Sequence, residues 1–78
     1  MTPTEASDLI RRFVSGNVGP WEWDDFISVK HKDPRVEAAR QEAAETYEVY
    51  PATMPNHWCS EAGFQALLAI ADGLEAEA

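Results

Sequence analysis

Apolar residues recur at helical spacing along most of this chain, and punctuation residues separate the stretches. In the first stretch Ala6, Leu9, Ile10, Phe13 and Val14 follow the i, i+3, i+4, i+7, i+8 template of an amphipathic helix. Thr2 is placed to cap it, Pro3 suits the first helical position and Glu5 completes a capping box. Gly16 is placed to end it in a left-handed conformation. Pro20 reads as the first position of a second, short helix in which Trp23, Phe26 and Ile27 share one face. Asp33-Pro34 repeats the cap-then-proline signal and opens a third helix. There Val36, Ala39, Ala43 and Tyr47 form the inward arc, opposite Glu37, Gln41, Glu45 and Glu48. Pro51 and Pro55 break the chain into a loop, and Ser60 caps a last helix. Phe64, Leu67, Leu68, Ile70, Ala71 and Leu74 give that helix the widest apolar arc, so it is the candidate central element. Gly63 and Gly73 weaken it, unless Gly73 marks its end.

The pattern predicts an all-α fold: a single small domain, residues 1–78, of four short helices around one core. The helices span about residues 3–15, 20–28, 34–48 and 61–74. Alternation of period two never lasts long enough to predict a strand. With 78 residues, the chain holds one modest core and no second domain.

Charge changes the picture next. Fourteen acidic residues against six basic ones give −8 at neutral pH. That balance lacks the basic footprint of direct nucleic-acid binding. No apolar run reaches the roughly 20 residues that span a bilayer. The opening Met-Thr-Pro-Thr-Glu-Ala has neither the basic region nor the apolar stretch of a signal peptide, so the expected location is cytoplasmic. A single cysteine excludes an internal disulfide framework.

Candidate chemistry is thin. His57 and Cys59 are two apart and His31 is distant, which falls short of a metal-ligand spacing, so no metal or cofactor is expected. Cys59 precedes the last helix, whose N-terminus can lower a thiol pKa, but no glycine-rich anion loop or nucleophile elbow accompanies it. The expectation is a protein without enzymatic activity. Glu42, Glu45 and Glu48 sit late in the third helix, where the macrodipole favours cations and like charges repel. A basic partner would offset that cost.

Trp21 is the second unusual feature. It points roughly 200° away from Trp23 on a helical wheel, between Asp24 and Asp25. It either folds back onto the loop carrying Tyr50 and Trp58 or stands as an exposed aromatic inside an acidic rim. Trp23 reads as core and Trp58 as a lid over it. Lys30, Lys32, Arg35 and Arg40 read as local partners of the acidic excess, Arg40 with Glu37 for example.

The stretch Phe13-Val14-Ser15-Gly16-Asn17-Val18-Gly19-Pro20-Trp21-Glu22-Trp23-Asp24-Asp25-Phe26 resembles small bacterial helical proteins of unknown function. More distantly, it resembles bacteriocin-type immunity proteins. The resemblance covers residues 9–29 best. It implies a small acidic helical protein that neutralises a basic toxin domain, with Trp21, Glu22, Asp24 and Asp25 in the contacting role. The resulting expectation is a non-enzymatic acidic module holding a basic protein partner through Trp21, Glu22, Asp24, Asp25, Glu45 and Glu48. The alternative is a structural domain that forms a homodimer through Trp21 and Trp58.

Overall fold

The protein is described by a computed structural model over residues 1–19, 21–55 and 57–76. Among these residues are four helices and no strand: α1 (Pro3–Ser15), α2 (Glu22–Ser28), α3 (Pro34–Val49) and α4 (Glu61–Ala76). The all-α, single-domain architecture is therefore the observed one.

α1 starts as its sequence predicts. The Thr2 hydroxyl accepts the Glu5 N–H at 3.1 Å, and the Glu5 carboxylate accepts the Thr2 N–H at 2.9 Å. Those bonds hold the Glu5 carboxyl below its ordinary pKa. Gly16 ends the helix at φ 82°, and its N–H bonds back to the last turn, a conformation that glycine alone adopts without strain.

α2 departs from expectation. It begins at Glu22, and Pro20 lies outside the described residues. Trp21 occupies the cap position and offers no side-chain acceptor. Instead the Glu22 carboxylate reaches back to the Gly19 N–H at 2.8 Å, and this closes the turn that starts the helix.

α3 is capped by Asp33, which accepts from the Arg35 and Val36 N–H groups. It runs one residue beyond the predicted end. Val36, Ala39 and Ala43 are buried as expected, but the next buried position is Thr46, while Tyr47 is half exposed. Thr46 can be enclosed because it is small and its hydroxyl is satisfied, donating to the Glu42 carbonyl at 3.0 Å. The bulkier Tyr47 ring lies over the rim, 5.5 Å from Trp58.

α4 packs against both α1 and α3, which makes it the central element, and α2 packs on α3. The Ser60 hydroxyl accepts the Gly63 N–H, and the Ser60 N–H bonds to the Tyr50 carbonyl at 3.0 Å, closing the intervening loop. A buried Ser7 hydroxyl donates to the Ala71 carbonyl at 3.0 Å where α1 meets α4. Arg11 pairs with Asp72 and Glu75 at the same contact.

The two α4 glycines have opposite settings. A Cβ on Gly63 would lie 2.7 Å from Cys59 Sγ and 2.9 Å from Tyr50 Cβ, so only glycine lets α4 approach this closely. Gly73 is not the end of α4, which continues to Ala76. Apart from its neighbours and the backbone of its own helix, no atom among the described residues lies within 4 Å of where its Cβ would be. The fold does not need glycine there, and a helix-interior glycine costs about 0.5–1 kcal/mol relative to alanine.

The connection between α2 and α3 is tied down by Glu37, expected on the solvated face but half-buried here. Its carboxylate pairs with Arg40, accepts the His31 N–H at 2.9 Å and accepts from Gln41 at 2.9 Å. Arg40 in turn donates to the Ile27 carbonyl at 3.3 Å. Arg40 first, then the His31 N–H, pulls the Glu37 carboxyl down to about 2.

Two outcomes follow from these contacts. Gly63→Ala should lose about 1–3 kcal/mol through overpacking, despite alanine's better helix propensity. Urea denaturation reads this, and a variant as stable as the parent would contradict the close-approach account. A depressed carboxyl stabilises the fold above its unfolded pKa and loses that contribution as pH falls through the folded value. Stability should therefore decline between about pH 4.5 and pH 2, with a shallower slope in Glu37→Gln. Identical slopes in denaturation series across that range would remove Glu37 from this role.

Candidate functional site

Five of the six residues expected to meet a partner fall on two surfaces, and Glu48 lies on neither. The first surface is the exposed edge of α2. Phe13 of α1 stacks on Trp23 with centroids 3.9 Å apart and planes 5° apart. Trp58 meets both rings edge-on at 5.5 Å. This cluster pulls Trp23 inward to 5% exposure. Trp21, two residues earlier, is turned outward and is 74% exposed. It makes no ring contact among the described residues, so the folded-back placement over Tyr50 and Trp58 does not occur.

Asp24 and Asp25 beside it are exposed, and among the described residues their carboxylates have no hydrogen bond or ion pair. Their position in the first turn of α2 suits the helix dipole. Asp25 also borders a recess of about 310 Å³ between the N-terminus and α2, lined by Met1, Phe26 and Val29 among others.

Glu22, unlike Asp24 and Asp25, is engaged within the chain. Besides the Gly19 N–H, its carboxylate takes the Arg12 guanidinium at 3.2–3.3 Å. The Gly19 N–H and then Arg12 hold its carboxyl below the ordinary value. Glu22 is thus a fastener between α1 and the start of α2, and a partner would have to break that pairing to use it.

The second surface is a groove of about 780 Å³ between α3 and α4. Glu42 and Glu45 line it from α3, and Ala66, Ala69 and Gly73 line it from α4. Val49, 63% exposed, stands at one end and Arg35 at the other. Neither Glu42 nor Glu45 has a side-chain partner among the described residues. Glu48 does not line the groove. It accepts the Tyr47 hydroxyl at 3.0 Å, which pushes the Tyr47 phenol above its ordinary pKa.

On the sequence alone Glu42, Glu45 and Glu48 form one group, and nothing joins Glu42 to the alanines of α4. The available signal was the 3-4-3-4 spacing of Arg35, Ala38, Glu42, Glu45 and Val49, which marks one continuous seam of α3.

Cys59 is fully buried, and burial pushes its thiol upward, away from a reactive thiolate. Burial thus outweighs any effect of the α4 start, and Cys59 fills the space that Gly63 leaves open. Among the described residues no group of three His, Cys, Asp or Glu side chains is placed to hold a metal ion. Among the described residues no helix is long and apolar enough to cross a membrane.

No family model, curated protein or solved structure matches the chain.

Proposed function

We propose that this protein is a non-enzymatic binding module that holds a basic protein partner against the acidic, aromatic edge of α2. The observation that carries the reading is Trp21: an indole 74% exposed beside two carboxylates without partners among the described residues. Tryptophan is enriched among residues that dominate binding energy, and an exposed one does nothing for the free protein. A charge of −8 steers a basic partner toward it and raises the association rate. A basic toxin domain is the most concrete partner, in keeping with the resemblance of residues 9–29 to immunity proteins. Inhibition would then follow from covering the toxin's positive surface, with no chemical step.

Self-association through the same edge is less favourable. A two-fold interface would set Asp24 and Asp25 of one copy near those of the other, at a cost in like-charge repulsion. The homodimer drawn through Trp21 and Trp58 also loses one contributor, because Trp58 is half-buried in the aromatic cluster.

Affinity capture from the native host at low and moderate salt tests the reading. The parent protein should enrich a basic protein in a salt-sensitive manner. Trp21→Ala should weaken capture by about 2 kcal/mol, roughly 30-fold. Asp24→Lys/Asp25→Lys should abolish it while lowering the thermal midpoint by only a few degrees, the loss of their favourable place at the α2 N-terminus. Capture indifferent to that charge reversal would overturn the proposal.

A further inference from the structure

We infer that the α3/α4 groove is a second docking surface, built for a basic amphipathic helix of a partner protein. The inference rests on the reading of the chain as a binding module and adds a different surface with its own occupant. The shape comes first. The α3 seam from Arg35 to Val49 is about 21 Å long at 1.5 Å per residue, the length of a four-turn helix. On the facing α4 wall Ala66, Ala69 and Gly73 recur at helical spacing, beside the larger Ile70 and Leu74. Small residues along that line let a third helix approach α4 closely, toward the lower end of the roughly 8–10 Å interaxial range of packed helices. Docking an amphipathic helix into such a groove is a recurring mode of recognition.

Gly73 is the independent observation. Nothing in the described fold requires glycine at this position, and alanine would form a better helix. Its cost to the free protein is explained if a partner backbone approaches α4 there.

Charge then selects the occupant. Glu42 and Glu45 lie on the groove in the second half of α3, where the helix dipole disfavours them. Lysine or arginine on the occupant would offset that placement. Arg35 at the opposite end, paired with Asp33, makes the groove asymmetric, so the basic residues belong over the Glu42–Val49 half. A second copy of this chain fits worse, because each copy carries −8 and would bring its own carboxylates toward Glu42 and Glu45.

The probe is a stapled synthetic helix of about 15 residues with a leucine/alanine stripe flanked by lysines, compared with the same helix carrying glutamate for lysine. Fluorescence anisotropy should give micromolar binding of the basic helix, weakened by salt, and none of the acidic one. Amide shift changes should centre on Val49, Ala69 and Gly73. Glu42→Gln/Glu45→Gln should weaken binding about tenfold, a loss of 1.4 kcal/mol. Gly73→Ala should raise the thermal midpoint by about 2–6 °C yet weaken binding several-fold.

Trp21→Ala should leave the affinity for this helix within about twofold, since the α2 edge lies outside the groove lining. Loss of binding in Trp21→Ala alone would overturn the groove inference and leave the α2 proposal standing. Equal binding of the two helices, unchanged binding by Gly73→Ala, or sedimentation as a dimer that buries Ala69 would each overturn the groove inference as well.

Discussion

The stack of Phe13 on Trp23 is the contact on which the arrangement of this small protein depends. It joins α1 to α2 across the turn at Gly16, and Trp58 closes over it from the loop before α4. Such ring pairs contribute about 0.5–1.5 kcal/mol beyond the area they bury. The stack has a cost, since Trp23 Nε1 is buried without an acceptor among the described residues. It also has a geometric consequence. Trp21 and Trp23 are two residues apart at a helix start, so drawing one ring inward turns the other out. The exposed indole beside Asp24 and Asp25 therefore follows from how the core is made.

Much of the fold was legible in the sequence because local rules and tertiary packing agree. The Thr2–Glu5 capping box, the Gly16 end and the Asp33-Pro34 start all form as local chemistry predicts. The start of α2 was harder to read. Trp21 carries no capping oxygen, and the turn is closed by Glu22, whose carboxylate bonds one residue before the chain enters the helix and one residue ten positions earlier. Similarly, a helical wheel places Glu37 on the solvated side of α3. One of its partners, the His31 N–H, comes from the chain just before α3, and the Ile27 carbonyl of α2 anchors Arg40 beside it; no wheel of α3 includes either.

The site was legible in part for the same reason. The outward direction of Trp21 follows from its spacing to Trp23, and the structure adds that nothing folds over it. The groove was not legible, because it belongs to two helices at once. Glu42 and Glu45 on α3 mean little until Ala66, Ala69 and Gly73 of α4 stand opposite them. Eleven of the carboxylates thus separate into three kinds, while Glu48 and Glu61 accept from Tyr47 and Gln65. Glu5, Glu22, Asp33 and Glu37 are engaged by backbone N–H groups or arginines and hold the fold, as their lowered pKa values reflect. Asp8, Asp72 and Glu75 pair at the surface with Arg11 or Arg12, where exposed pairs contribute little. Asp24, Asp25, Glu42 and Glu45 do neither, and these are the carboxylates on the two candidate surfaces.

The central claim is that the aromatic stack leaves Trp21 bare within an acidic rim. The three indole N–H resonances of labelled protein test it directly, in the presence of soluble nitroxides of opposite charge. A cationic nitroxide should broaden the Trp21 resonance strongly, and far more than its anionic counterpart, while leaving Trp23 sharp. Equal broadening by the two probes, or a Trp21 resonance as protected as that of Trp23, would contradict the account.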